Sequence, residues 1–565
     1  MNLRRLLAWT AAPLAVVGST LTPGGTATAT TTASTTSTAS ATTAASTAST
    51  SQTLRHARID WHACPDYSDD VLDWIGFPDH AWFKAAMNRA DCGTLDVPLD
   101  YADPSGRWIS VALTRLPATD KAHRLGSLAL NPGGPGGSGY LMPFRFAQPD
   151  RPTADLNKQY DLIGFDPRGV GSSTTVDCAE DGVGAPPTIT EAEARRVYAQ
   201  LVRVNQECAS TDPEFIGQLT TQNIARDLDR IRTGLGERRL SYYGVSWGSW
   251  LGPVYRNLFP SKVGRMWVDS VAPPDPRLDT FVAERAAATE RDFSRMATWM
   301  ARFDDTYGFG TTGSQVKASL TALQRDLDAH PKEFTGIPVV FDGSVVALAG
   351  SQPSPVWPQA AQVFAELRDA TGPIAPPEVA EVFGGEPMEP PAGLPARSNP
   401  TANQAIFCNG DGGARDFESA WDAYQERLRR LPITGRLSSF LPPCAGWPLP
   451  VQEVRLRFNR APLVLSGHRY ESVSVYRWTH DMKAAVGGTT FTVEDDVHGS
   501  VIDAPDCAAH VVAYFRTGKP GASGCQGVPV PTGPDAGPPA GPQVAQAGRS
   551  MTLTPGWSVE RLPFD

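Results

Sequence analysis

Ser246 lies in the pentapeptide Gly244-Val245-Ser246-Trp247-Gly248. A serine hydroxyl is a weak nucleophile until a neighbouring base takes its proton and the backbone holds it clear of its surroundings. With 52 glycines in 565 residues, a five-residue pattern of this kind also arises by chance, so its weight comes from its setting. Leu240–Tyr243 upstream reads as a strand. Trp250, Leu251, Val254 and Tyr255 downstream share one face of a helix. A strand–turn–helix with glycines beside the serine is the nucleophile elbow, in which a sharp turn lifts the hydroxyl above a sheet edge. The plainer reading is a tight strand–helix turn with an incidental serine.

A second glycine cluster supplies what that chemistry would need next. Asn131-Pro132-Gly133-Gly134-Pro135-Gly136-Gly137-Ser138-Gly139 follows the apolar run Ser127–Leu130. Acyl transfer passes through a tetrahedral oxyanion that requires N–H donors aimed at it, and glycines let the main chain approach without a Cβ in the way. The expected donors are the amides of Gly134 and Trp247. A phosphate-binding loop is the competing reading. It lacks the Gly-Lys-Ser/Thr ending, and its two prolines remove amides that a phosphate would use.

A base and an acid must complete the set. Of nine histidines, His498 stands in a loop just past the strand Thr490–Val493, where a chain order of nucleophile, acid, base puts the last member. His510, the only later one, sits within a helical stretch, Ala508–Phe515. For the acid, the segment after Pro462–Leu465 offers one carboxylate, Glu471. Asp269, at the end of Met266–Val268, is the runner-up, its plainer reading being a capping residue at a strand end. The expected triad is Ser246, Glu471 and His498, which needs neither cofactor nor metal.

These residues require a scaffold of alternating strands and helices. Strand patterns fall at Trp108–Leu116, Ser127–Leu130, Tyr160–Phe165, Leu240–Tyr243, Met266–Val268, Pro462–Leu465 and Thr490–Val493. Gln222–Leu235 is helical, with Ile224, Leu228 and Ile231 on one face. Such alternation predicts an α/β fold with a mostly parallel central sheet, here the α/β-hydrolase fold. The rhythm breaks between 273 and 460. Helical stretches (Thr280–Thr306, Val316–Ala329, Ala414–Arg430) flank a Pro/Gly-rich region, Gly350–Pro400, of little periodicity. The expected organisation is a first core segment at 56–272, a helical cap insertion at 273–460, a second core segment at 461–530 carrying acid and base, and a Pro/Gly-rich tail at 531–565.

The N-terminus reads as an export signal over residues 1–29: Arg4 and Arg5 precede the apolar stretch Leu6–Val17, which is too short to span a bilayer. Residues 30–55 are almost wholly Thr, Ala and Ser and cannot bury enough apolar surface to fold. No later stretch has the length and hydropathy of a membrane span. The net charge of −10 and the lack of a basic patch argue against a nucleic-acid partner. Eight cysteines in an exported chain imply disulfides, and nearest-neighbour pairing gives Cys64–Cys92, Cys178–Cys208, Cys408–Cys444 and Cys507–Cys525. The location implied is extracellular.

Beyond the elbow, several strings resemble the secreted bacterial tripeptidyl aminopeptidases and related prolyl-aminopeptidase-like α/β-hydrolases. They are Cys92-Gly93-Thr94-Leu95-Asp96-Val97-Pro98-Leu99-Asp100-Tyr101, the Asn131–Gly139 loop, Tyr160-Asp161-Leu162-Ile163-Gly164-Phe165-Asp166-Pro167-Arg168-Gly169, Asp227-Leu228-Asp229-Arg230-Ile231-Arg232 and Cys408-Asn409. The likeness covers most of 88–525. In that family the acid segment commonly reads Asp-Pro-Val-Thr-Pro-Tyr, and Glu471-Ser472-Val473-Ser474-Val475-Tyr476 is similar with Glu in the acid place. The resemblance implies peptide substrates with a free N-terminus, cut to release short peptides, with cap carboxylates holding the substrate ammonium. Glu284, Glu290, Asp304 and Asp411 are candidates that no motif separates. An esterase or lactonase would use the same machinery, and an inactive binding protein on the same scaffold would need none of it.

Overall fold

The computed structural model describes residues 58–178, 183, 189–384 and 389–536. The export signal, the Thr/Ala/Ser spacer and most of the C-terminal tail lie outside the described residues.

A ten-stranded sheet organises the chain. Its strands are β1 (Asp60–His62), β2 (Asp91–Pro98), β3 (Trp108–Leu116), β4 (Gly126–Asn131), β5 (Tyr160–Phe165), β6 (Leu240–Val245) and β7 (Val263–Asp269), then β10 (Val464–His468), β11 (Thr489–Val493) and β12 (Gly524–Cys525). The spatial order is β1-β2-β3-β5-β4-β6-β7-β10-β11-β12, while β8 (Lys332–Phe334) and β9 (Ile337–Phe341) form a separate hairpin. The pairs from β1 to β3 and β3 with β5 are antiparallel, and every pair from β5 to β12 is parallel. Every residue of β5 and β6 is buried, because helices cover both faces of a parallel sheet. One apolar cluster joins Leu240, Tyr242 and Val268 to the helices Thr221–Gly234 and Gly248–Leu258. Another joins Leu128, Leu130, Tyr243 and Trp267 on the opposite face to the helix Pro505–Thr517. Thr220 caps the first of these helices, its hydroxyl accepting the Asn223 amide at 3.2 Å.

Between β7 and β10 the chain builds a mainly helical insertion with an apolar core of its own, centred on Phe293, Met296, Leu320, Phe341, Trp357 and Phe364. Three sequence expectations change here. The strand expected at Pro462–Leu465 runs instead from Val464 to His468. The helix expected over Thr280–Thr306 ends at Met300 and continues as short turns. Gly350–Pro400 holds the helices Trp357–Asp369 and Pro377–Phe383. Both carry proline at the first or second helical position, where its missing N–H costs nothing; the prolines that read as breakers mark helix starts. Four disulfides, Cys64–Cys92, Cys178–Cys208, Cys408–Cys444 and Cys507–Cys525, staple neighbouring segments. Among the described residues, no helix is long and apolar enough to cross a membrane.

Candidate active site

The parallel strands end in a row, and that row is where the singled-out residues meet. Asn131 at the end of β4 pairs with Gly244 of β6, Val245 with Asp269 of β7, Asp269 with Ser466 of β10, and His468 with Val493 of β11. Carboxyl ends of parallel strands are the usual place for ligands in such sheets. Ser246 follows directly on β6 with φ at +58°, a left-handed conformation disfavoured for a residue with a Cβ. The turn is tight. A Cβ on Gly244 would stand 2.6 Å from the Gly248 carbonyl, and one on Gly248 2.7 Å from Asn131 Oδ1. Ser246 N–H donates to the Asp269 carbonyl at 3.0 Å. Its Oγ is buried and without a hydrogen-bond partner.

Glu471 and His498 meet across the β10 and β11 loops: His498 Nδ1 hydrogen-bonds Glu471 Oε1. An ionised carboxylate can only accept, so Nδ1 carries a proton, and in the neutral ring the lone pair is then on Nε2. Glu471 also accepts the Ser474 amide at 2.7 Å and the Ser270 hydroxyl at 3.0 Å, and it is almost wholly buried. Among the described residues Ser270 is the other non-glycine with positive φ, +48°, and its hydroxyl accepts the Gly499 amide at 2.8 Å. Ser270, in the turn after β7, thus joins the acid's carboxylate to the backbone beside His498. Nothing in the sequence marked it. Strained backbone clusters where function over-determines it.

The glycine loop folds over the elbow. A Cβ on Gly133 would stand 2.5 Å from the Val245 carbonyl, 2.9 Å from Ser246 Cβ and 3.1 Å from the Trp247 nitrogen, so only glycine allows this approach. Gly133 makes this contact, and Gly134 follows it with φ at +107°. The insertion grips the same loop from outside. Ser138 N–H donates to the Arg397 carbonyl at 2.7 Å, Asn399 N–H to the Gly136 carbonyl at 2.9 Å, and Asn403 Nδ2 to the Pro135 carbonyl at 2.7 Å. From the core side, Ser138 Oγ donates to Asp166 at 2.5 Å, whose carboxyl burial pushes up to about 6. Asn403→Ala is expected to lower kcat about fivefold to tenfold, the worth of one hydrogen bond of about 1 kcal/mol, with the melting temperature almost unchanged. Steady-state kinetics beside a thermal melt would check it.

Asp269 faces a different histidine. His468, fully buried, hydrogen-bonds Asp495 Oδ1 through Nδ1 at 2.5 Å and Asp269 Oδ1 through Nε2 at 3.1 Å. Ser466 Oγ donates to the same Asp269 oxygen at 2.5 Å, and Ser500 Oγ to Asp495 Oδ2 at 2.6 Å. The two acids the sequence left in competition each have an imidazole, Glu471 that of His498 and Asp269 that of His468. His468 was not singled out beforehand. A lone histidine at a strand end carries no signal until its partners on two other strands are seen.

The four cap carboxylates are engaged in the fold. Glu284 binds Arg477 and Trp478 Nε1. Glu290 Oε2 accepts the N–H and hydroxyl of Thr434, while Oε1 is buried without a hydrogen-bond partner, 3.9 Å from Lys317 Nζ. Asp304 accepts Gly310 N–H, and Asp411 accepts the amides of Leu278 and Gly413. A fifth acid is placed differently. Asp292, on the insertion helix Leu278–Met300, shares the Arg295 guanidinium with Asp496, two residues before His498, at 2.8 and 3.0 Å. Two carboxylates face one cation, and burial followed by the Asp496 charge pushes the Asp292 carboxyl up to about 7. Arg295 also lies 4.0 Å over the ring of Tyr470, next to Glu471. Arg285 of the same helix is pushed down to about 10 by burial, with the Glu471 charge opposing. The insertion therefore reaches both the acid and the base loops.

Comparison with known proteins bears on the fold and the family. A family model for the alpha/beta hydrolase fold matches residues 126–367, and one described as TAP-like protein matches 434–527. A tripeptidyl aminopeptidase of Streptomyces lividans is 30% identical over 486 residues, 82% of this chain and 85% of that protein. A serine protease of Mycobacterium tuberculosis is 37% identical over 205 residues, 34% of this chain and 38% of that protein. A protein of the same species named carboxylesterase B is 25% identical over 496 residues, 81% of this chain and 88% of that protein.

Proposed function

The chain belongs to the tripeptidyl aminopeptidase family of α/β-hydrolases, and from that premise we propose that it is a secreted serine exopeptidase releasing tripeptides from free N-termini. That it is a serine peptidase of the hydrolase fold follows from the family. The observation that carries the catalytic roles is the linkage of Ser246, Glu471 and His498 through Asp269 and Ser270. In the proposed reaction Ser246 Oγ attacks the third peptide carbonyl while His498 Nε2 takes its proton. The amides of Gly134 and Trp247 hold the oxyanion. Glu471 keeps the proton on Nδ1 and stabilises the imidazolium, which then protonates the leaving amine. Water, deprotonated by His498, releases the tripeptide from the acyl-enzyme.

Asp292 supports the free N-terminus. It is a buried carboxylate with an incompletely compensated charge, held beside the catalytic loops by the insertion. A substrate ammonium would supply the missing cation. Secretion is supported by the export signal at 1–29 and by four disulfides. Chromogenic tripeptidyl, dipeptidyl and aminoacyl amides, an N-acetylated tripeptidyl amide and a simple ester test the reading. The free tripeptidyl amide is expected to give the highest kcat/KM. Cleavage of the acetylated amide as fast as the free one would sink the N-terminal reading, and turnover of the ester alone would favour an esterase. Asp292→Asn is expected to raise KM for the free tripeptidyl amide about tenfold or more, the worth of a charge-assisted hydrogen bond of about 1.5–3 kcal/mol. The acetylated amide should show no comparable change.

A further inference from the structure

Beneath the Glu471–His498 pair lies a second carboxylate–imidazole assembly whose histidine does not belong to the proposed triad. Both ring nitrogens of His468 lie within hydrogen-bond distance of carboxylate oxygens. Carboxylates are acceptors, so both nitrogens must donate, and the ring is an imidazolium. Burial works against that charge, and Asp269 and Asp495 overcome it, holding the His468 pKa well above the ordinary value. Ser466, Ser500 and the Val528 amide donate further hydrogen bonds to the two carboxylates, while Asp269 Oδ2 is buried without a hydrogen-bond partner.

What matters is where the three ends of this assembly lead. Asp269 closes β7, its carbonyl receives the Ser246 amide, and the next residue is Ser270, which binds Glu471 and Gly499. His468 closes β10, and its carbonyl accepts the Glu471 amide at 3.3 Å. Asp495 opens the loop that carries His498, and its carbonyl accepts the Tyr470 amide at 3.0 Å. One imidazolium therefore fastens the end of β7, whose carbonyl receives the nucleophile's amide, to the strand ends that present the acid and the base. Hydrogen bonds to charged groups are the stronger and more directional kind, and a misplacement of about 1 Å at reacting groups can cost about 10²-fold in rate.

We propose that His468 is a positioning residue, clipped between Asp269 and Asp495 so that the β7, β10 and β11 loops hold Ser246, Glu471 and His498 in register. The proposal rests on the reading of those three residues as the triad. A core network that served only folding would change stability and leave the chemistry per folded molecule untouched. A positioning clip changes kcat and leaves substrate binding alone.

The test measures kcat, KM and the rate of covalent labelling by a fluorophosphonate, per folded molecule, on the full-length protein. For His468→Gln the expectation is a loss of about 10- to 100-fold in kcat and in labelling rate, with KM within about twofold. Since that change leaves two buried carboxylates unneutralised and the variant can fail to fold, Ser500→Ala and Ser466→Ala provide milder arms. Each removes one hydroxyl from the network, and each is expected to lower kcat about threefold to tenfold at unchanged KM. The triple variant His468→Gln, Asp269→Asn, Asp495→Asn removes the charges together and is expected to regain stability without regaining kcat. Wild-type kcat and labelling in the milder variants, or in a folded triple variant, would overturn the proposal. Labelling of Ser246→Ala at the wild-type rate would instead overturn the triad itself, which keeps the two failures apart.

Discussion

Ser246→Ala is expected to abolish peptide hydrolysis and fluorophosphonate labelling while leaving the fold and the melting temperature nearly as they are. The hydroxyl has no hydrogen-bond partner to lose, so its removal unpairs nothing in the core. The left-handed backbone at φ +58° is as strained for alanine as for serine, which keeps the stability change small. The whole cost falls on chemistry. Loss of the nucleophile in a serine protease costs roughly 10⁶-fold in kcat. Purified variant with more than a few per cent of wild-type activity would refute the assignment.

Glu471→Gln comes next in size. Glu471 receives His498 Nδ1, the Ser474 amide and the Ser270 hydroxyl. The amide is nearly the same shape but presents an NH₂ where one acceptor oxygen stood. It can favour the wrong imidazole tautomer and cannot stabilise the imidazolium. An acid-to-amide change of this kind costs roughly 10⁴-fold in kcat, and KM should hardly move because the acid acts in the transition state. Asp269→Asn provides the contrast. It keeps an oxygen for His468 and Ser466 but leaves the buried imidazolium with one anion instead of two. Removing a partner from a buried pair costs up to roughly 3–5 kcal/mol of stability, while kcat should fall no more than about tenfold through the displaced loops. Paired melts and kinetics on both variants check this; Glu471→Gln nearly silent with Asp269→Asn inactive would move the acid to β7.

How far the sequence leads can be traced through the same residues. Ser246 stood out because glycines at fixed offsets between a strand and a helix leave a local signature, and His498 because chain order puts the base after the last long strand. Such signals favour Glu471 over Asp269 only by its place after the later strand and before His498. Each follows a strand, and only the strand order, with β10 seated between β7 and β11, decides which imidazole each one meets. His468 left no local trace, since its meaning lies in Asp269 and Asp495 on neighbouring strands. In the insertion, Pro358, Pro377 and Pro400 punctuate the chain as breakers do, yet each sits in the first turn of a helix. The hairpin of β8 and β9 also escaped notice. It is short, and Pro338 and the exposed Val340 blur its alternation.

The hold of residues 397–403 on the glycine loop bears on how such proteins diversify. Substrate choice is often treated as separable from chemistry, with a lid exchanged between relatives over a constant engine. Here the carbonyl of Arg397, the amide of Asn399 and the side chain of Asn403 fix the loop that lies against Ser246. A graft that replaced this stretch together with the lid would discard part of the engine. A graft confined to the stretch from Met300 to about residue 396 keeps Ser270 and the helix that carries Arg285, Asp292 and Arg295, and is expected to disturb turnover less than one that takes them.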